Sequence, residues 1–347
     1  MGSGLRRSLT FMLNLHDLSA PIVGAPMAGG ASTPALAAAV SGAGGLGFLA
    51  GGYKTADQLA VEIDAVRSAT SEPYGVNLFV VAPFEPDPET LAAYQRALEP
   101  EAALFGVGLG DPRWDDDDWR SKLELVLEVR PDVVSFTFGC PDRQVLRALR
   151  QRDIHTTITV TTVAEAREAE ARGAGSLAVQ GPDAGGHRGT WDLQADPDPA
   201  PLLDLLPEVV AAVGVPVAAG GGLTDVTGVS SVLERGALAA QVGTAYLLAN
   251  EAGTNPVHRA ALTDPAFAKT DTTRAYTGRW ARGLANRFMA DHRDAPAGYP
   301  HLHHLTAPLR ASAVAAGDPQ VAHLWSGTGH AQARTGPAAS ITRSLTP

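Results

Sequence analysis

His155-Thr-Thr-Ile-Thr-Val160, then Val163-Ala-Glu-Ala-Arg-Glu-Ala-Glu-Ala-Arg172 closed by Gly173, then Ser176-Leu-Ala-Val-Gln180: this stretch reads as strand, helix and strand in quick succession. The β-branched and apolar runs at its ends favour extended backbone. The Ala-, Glu- and Arg-rich run between them favours helix, and glycine suits the helix stop. Working outward, the same unit recurs. Upstream lie strands at Pro21–Ala25, Gly45–Phe48, Gly75–Val80 and Val133–Phe136, with helices at Thr33–Ser41, Thr55–Ala69 and Asp142–Arg150. The Ser32/Thr33/Pro34 run suits a helix start. Downstream come a helix at Pro201–Val213, a strand at Val215–Ala219, a helix at Asp225–Arg235 and a strand at Ala237–Val242 entering a helix near Thr244. Strands alternating with helices imply a parallel sheet. Eight such units predict closure into an α/β TIM (β/α)₈ barrel, with a helical C-terminal extension as a cap.

The Pro- and Asp-rich residues 83–130 read as an insertion with one or two helices. After Asn250 the alternation stops, and the chain reads as helical, then coil-like from about Gly327. The expected division is therefore a barrel at 15–250, a helical substrate-side extension at 251–330 and a tail at 331–347.

Of the 347 residues, 45% are hydrophobic and 18% charged, enough apolar material for a large core and too much for disorder. Lys plus Arg number 27 against 37 Asp plus Glu, a net charge of −10, so no basic stripe is available for nucleic acid or an anionic membrane. Asp115–Asp118 is the one dense charge run, expected as a solvated loop or helix start. Cys140 is the single cysteine, which excludes a disulfide framework and a cysteine zinc site. Residues 1–15 carry Arg6 and Arg7 without a signal-peptide pattern, and no apolar run reaches about 18 residues. A cytoplasmic protein, monomer or homodimer, is the expectation.

Barrel active sites are built from the loops after strand C-termini, and four strand ends carry more than packing residues. Gly24-Ala25-Pro26-Met27 with Ala28-Gly-Gly30 is either a tight turn or a place where backbone amides approach a flat ligand. Asn77, a polar amide among Val76, Leu78, Phe79 and Val80, needs either a structural hydrogen bond or a ligand. Gln180-Gly-Pro-Asp-Ala-Gly185-Gly186-His187-Arg-Gly-Thr190 frames an imidazole with glycines, which suits an acid, base or electrostatic group. Ala219-Gly220-Gly221-Gly222 and Gln241-Val242-Gly243-Thr244 follow strands seven and eight, the usual phosphate site of this fold. Exposed N–H groups and a helix opening at Thr244 would favour phosphate there. Walker, His-Glu-x-x-His and nucleophile-elbow patterns are absent. His301, His303 and His304 read as exposed or locally capping residues rather than as a metal site.

Pro21-Ile-Val-Gly-Ala-Pro-Met-Ala28, Gln180-Gly-x-x-Ala-Gly-Gly-His-Arg-Gly189, Ala219–Gly222, Gln241–Thr244 and Gly278-Arg-Trp-Ala-Arg-Gly-Leu-Ala-Asn-Arg287 resemble the signatures of the nitronate monooxygenases, formerly 2-nitropropane dioxygenases. The resemblance covers roughly residues 15–330. It implies non-covalent FMN and oxidation of an alkyl nitronate by O₂ to a carbonyl compound and nitrite. It also implies FMN contacts at Ala25, Pro26, Met27, Asn77, Gln180, Gly185, Gly186, Gly220, Gly221, Gly222 and Gln241–Thr244, with His187 as the active-site imidazole. Gly24, where many relatives carry glutamine, and the 83–118 stretch are departures that bear on substrate choice. His187 would act either as a cation toward the nitronate or, when neutral, as a base toward a nitroalkane. The nearest rival is an FMN- and NADH-dependent reductase of enoyl-acyl-carrier-protein or quinone type. A reactive-thiol enzyme using Cys140 and a non-catalytic flavin- or phosphate-binding sensor stand further off.

Overall fold

The computed structural model describes residues 15–347, so the reading of Arg6, Arg7 and their neighbours lies outside the described residues. Eight parallel strands make the barrel wall: β1 (Ile22–Gly24), β2 (Gly47–Ala50), β3 (Tyr74–Phe79), β4 (Val133–Thr137), β5 (His155–Val160), β6 (Ser176–Gln180), β8 (Val217–Gly220) and β9 (Ala239–Val242). β7 is a two-residue strand, Gly186–His187, in the loop after β6. The sheet runs β1-β9-β8-β6-β5-β4-β3-β2. Leu46 then bridges its two edges, donating to the Ile22 carbonyl and accepting from the Gly24 amide, both at 2.9 Å. Strand period two explains the wall. Val76, Leu78, Val134, Phe136, Ile158, Val160 and Val242 pack against the helices. Asn77, Thr137, Thr159, Gln180 and Gln241 alternate with them and line the mouth of the barrel.

The outer ring is α1 (Pro34–Gly42), α2 (Ala56–Ala69), α4 (Trp119–Val129), α5 (Arg143–Arg150), α6 (Val163–Arg172), α7 (Leu202–Ala212), α8 (Val226–Leu233) and α12 (Ala338–Leu345), while α3 (Pro88–Leu104) lies outside it. Local signals set several starts. Thr55 and Gln58 form a reciprocal capping box on α2, and the Thr33 and Thr162 hydroxyls cap α1 and α6, each such cap contributing about 1 kcal/mol. Gly173, at φ 100°, ends α6 as expected.

Several expectations need correction. The coil-like tail is instead α12, which buries Ala338, Ile341 and Leu345 against the barrel core and packs on α1 and α8. The helix that completes the ring therefore comes from the end of the chain. The 251–330 extension is not simply helical. Beside α9 (Pro256–Thr263), α10 (Arg287–Asp291) and α11 (His301–Ala315) it holds β10 (Thr270–Thr273) and β11 (Ala281–Leu284), which form an antiparallel sheet with β7. The helix expected near Thr244 is a single 3₁₀ turn, Thr244–Tyr246, too short to supply a macrodipole. The insertion does contain two helices. α4 belongs to the ring, whereas α3 joins a second core, in which Tyr94 and Leu98 meet Leu302, Leu305 and Leu309 of α11.

Asp115–Asp118 is a helix start, with Asp118 at the N-cap of α4, but it is not a solvated run. The Asp117 carboxylate lies 2.7 Å from a buried Lys122 ammonium and accepts the Tyr53 amide at 2.8 Å, while Asp118 accepts the Ala56 amide at 2.8 Å. These bonds tie the insertion to the loop after β2. The three histidines are not exposed either: they lie on α11, with His301 buried and His304 bonded to Asp115. Among the described residues no group of three metal-ligating side chains occurs, and no helix is long and apolar enough to cross a membrane.

Candidate active site

A cavity of about 200 Å³ opens at the C-terminal ends of the barrel strands. The sequence-predicted residues converge on it from five strand ends. Ala25, Pro26 and Met27 come from β1 and Asn77 from β3. Gln180, Gly185, Gly186 and His187 come from β6 and its loop, Gly220, Gly221 and Gly222 from β8, and Gln241, Gly243 and Thr244 from β9. Val242 does not reach it. Alternation turns its side chain into the core behind the sheet, and its carbonyl accepts the Ala25 amide at 2.8 Å.

The β8–β9 side is a cradle of bare backbone. A Cβ on Gly220 would lie 2.6 Å from the Gln241 carbonyl oxygen, so only glycine lets the two strand ends close up. Gly222 holds φ +73°, a conformation that costs other residues about 1–2 kcal/mol. The amides of Gly221, Gly222, Gly243 and Thr244 donate to no acceptor among the described residues. Four free N–H groups at one rim of a cavity form a site for anionic oxygens.

Two amide side chains of the wall, Asn77 and Gln180, are already engaged. Asn77 Nδ2 donates to Ser135 Oγ at 2.9 Å and Thr137 Oγ1 at 3.0 Å, which is the structural alternative, although the residue still lines the cavity. Gln180 Nε2 donates to the His187 carbonyl at 2.9 Å, and its Oε1 accepts the Gly189 amide at 2.8 Å. Gln180 thus braces the loop that carries the imidazole. From the other side β11 clamps the same loop, pairing Ala281 with His187 and Arg282 with Gly186.

His187 projects from β7 into an aromatic cage. Phe138, Tyr299 and Trp325 stand with ring centroids 5.8, 6.1 and 5.4 Å from its own. Its Nε2 lies 2.9 Å from Thr277 Oγ1. Burial, reinforced by the charges of Arg279 and Arg310, lowers its pKa to about 3, so the imidazole is neutral near pH 7. Burial thus favours the neutral form of His187.

The positive charge comes instead from residues the sequence reading passed over. Arg279 is buried, with Cζ 4.1 Å from the Phe138 centroid and 5.4 Å from that of Tyr299, and its Nη1 donates to the Thr190 carbonyl at 2.6 Å. Arg310 is buried on α11, bonding Thr306 Oγ1 at 3.0 Å and the His303 carbonyl at 2.8 Å. Neither meets a carboxylate within ion-pair distance among the described residues. Buried cations held by carbonyls and ring faces leave an uncompensated positive field. One signal exists for this wall: Arg279 belongs to the Gly278–Arg287 segment. Nothing local marked Tyr53, Tyr299 or Trp325, since the long excursion after β9 brings the last two into place. Tyr53 (φ 66°) and Phe138 (φ 76°) hold left-handed backbone, a strain the surrounding packing must sustain at the cavity wall. Cys140 is buried, and that burial pushes its thiol up to about 12, which excludes a reactive thiolate.

Comparison with known proteins places this geometry in a family context. The profile described as "Nitronate monooxygenase" matches residues 10–347. A nitronate monooxygenase of Pseudomonas aeruginosa is 40% identical, over 95% of this chain and 96% of that protein. Among solved structures, a nitroalkane oxidase from Streptomyces ansochromogenes superposes with TM-score 0.91 at 47% identity, covering 95% of this chain and 96% of that one. FabK from Thermotoga maritima superposes with TM-score 0.73 at 26% identity, covering 95% and 93%.

Proposed function

This chain belongs to the nitronate monooxygenase family of oxidoreductases, and from that premise we propose that it holds FMN in the barrel mouth and oxidises alkyl nitronates with O₂ to carbonyl compounds and nitrite. The carrying observation is His187, an imidazole on the cavity wall held by Thr277, with two buried arginines near it that have no carboxylate partner among the described residues.

The residues fit a phosphorylated flat cofactor. The free amides of Gly221, Gly222, Gly243 and Thr244 suit a phosphate, and Ala25–Met27, Asn77 and Gly185–Gly186 offer small or amide-bearing walls to a ring. FMN, when bound, supplies the acceptor for the substrate's electrons and passes them to O₂. Overall, two nitronate anions and one O₂ balance two carbonyl compounds and two nitrites.

The chain's own contribution is electrostatic and positional. Arg279 and Arg310, buried near the cavity, draw an anion into it with less screening than in solution. Phe138 and Trp325 supply an apolar wall for the alkyl part. A nitronate carries no acidic carbon-bound proton, so His187 need only border it. For a neutral nitroalkane, His187 takes the carbon-bound proton, a transfer made possible because the negative charge developing on the nitro group raises the imidazole's proton affinity from its low resting value. In this reading the residues between β9 and α12 form the substrate-side wall. The test is anaerobic addition of propyl-2-nitronate to the purified protein. Bleaching of a bound flavin supports the proposal, and a colourless protein that takes up no FMN contradicts it.

A further inference from the structure

We propose that Thr277 is a positioning residue that fixes His187 in the Nε2–H tautomer, so that Nδ1 is the nitrogen that takes the substrate proton. The proposal rests on the base role of His187 given above and deepens it.

Hydrogen-bond satisfaction at Thr277 selects the tautomer. Thr277, 2% exposed, sits in the turn between β10 and β11. Its Oγ1 has three neighbours: His187 Nε2 at 2.9 Å, and the Arg279 carbonyl oxygen and amide nitrogen, both at 3.4 Å. A hydroxyl offers one proton and two lone pairs. If that proton goes to the Arg279 carbonyl, the lone pairs accept from the Arg279 amide and from His187 Nε2–H, and all three neighbours are served. If it goes to His187 Nε2 instead, the Arg279 carbonyl has no other donor among the described residues, in a residue only 4% exposed. Buried carbonyls are seldom left so. The first arrangement is the self-consistent one, and it leaves the lone pair on Nδ1.

Nδ1 is also the open nitrogen. It bonds to no described group, yet it is not among the sealed polar atoms, while His187 lines the cavity. The ring cannot turn freely to exchange its nitrogens. β11 fixes its backbone, and Phe138, Tyr299 and Trp325 stand around it. The charged or titratable groups facing it are Arg279 from the same turn, Arg310 and His303 from α11, His323 from the segment before Trp325, and Tyr299. None of these bonds to Nδ1.

The test uses the flavin-loaded enzyme with ¹⁵N-labelled histidine, the His187 signals being assigned by their loss in His187→Asn. Long-range ¹H–¹⁵N correlation reports the tautomer without turnover, so it stands apart from whether the substrate is a nitronate. Wild type is expected to show the Nε2–H form; the Nδ1–H form would overturn the proposal. In Thr277→Val an Nε2–H would face a methyl group, so the ring should shift toward Nδ1–H. The rate with a neutral nitroalkane should then fall about 10- to 100-fold more than the rate with preformed nitronate. Thr277→Ser, which keeps the hydroxyl, should restore both the wild-type signals and the rate ratio. An unchanged tautomer in Thr277→Val, or an equal loss with both substrates, also overturns it. Should Thr277→Val fail to fold, the wild-type and Thr277→Ser spectra decide alone.

Discussion

Arg279 lies with its guanidinium carbon 4.1 Å from the centre of the Phe138 ring, on the same aromatic wall that faces His187. The pairing places a fixed positive charge behind a hydrophobic surface. An anion in the cavity feels the charge without displacing its hydrogen bond to Thr190. At an effective dielectric of about 20, a unit charge some 6–8 Å away contributes about 2 kcal/mol. Arg279→Gln should therefore raise KM for a nitronate about 10- to 30-fold. The same change removes a like charge from the surroundings of His187, so its pKa should rise from about 3. Steady-state kinetics with histidine NMR checks both, and an unaltered KM would remove Arg279 from substrate attraction.

His187→Asn should keep the cofactor, because the cradle lies on β8 and β9. Loss of a general base typically costs ~10²–10⁴-fold, and that range is expected for a neutral nitroalkane. A preformed nitronate should lose less. If His187 merely braces its loop, flavin content and melting temperature will fall together with activity, so all three should be measured on one preparation.

Gly222→Ala should weaken FMN binding by about 10-fold while leaving the barrel folded. The new Cβ would lie 3.0 Å from the Asp183 Cβ at φ +73°, which strains the backbone by about 1–2 kcal/mol and moves an amide of the cradle. Equilibrium dialysis against FMN measures it. Wild-type affinity in the variant would move the phosphate site elsewhere.

Acid should unfold this protein partly through buried histidines. Burial lowers His155 and His258 to about 4, and it is the largest cause of the lowering of His187 to about 3. Their unfolded value is about 6.5, so the unfolded chain binds more protons than the folded one across this interval. Their stabilising contribution is complete above about pH 6.5 and is lost as pH falls toward 3–4. His155→Gln should show a shallower fall in urea midpoint between pH 7 and 4.5 than wild type. Parallel curves would contradict the assignment.

The barrel was legible because each βα unit carries its own signal: a β-branched run, an Ala-rich helix and a polar or glycine stop. His155–Val160, Val163–Arg172 and Ser176–Gln180 fall where those signals put them. The cradle glycines and His187 were legible for a related reason, since a barrel places strand ends at one mouth. The other half of the cavity was not. β7 is two residues long and β10 is Thr-Asp-Thr-Thr, so neither shows apolar alternation, and both form only by pairing with β11. Thr277, Tyr299 and Trp325 reach His187 through contacts across about 90 residues or more of chain, which no local pattern encodes. The acidic run was legible as a helix start but not as a bonded one, because its partners Tyr53, Ala56 and His304 are distant in sequence.

The most direct measurement is oxygen uptake by the purified yellow protein, with propyl-2-nitronate and with NADH in separate runs, alongside release of the bound flavin by denaturation. The account predicts FMN as the released flavin, O₂ consumption with nitrite formation from the nitronate, and little bleaching by NADH. Rapid bleaching by NADH without nitronate turnover, or FAD as the released flavin, would contradict it.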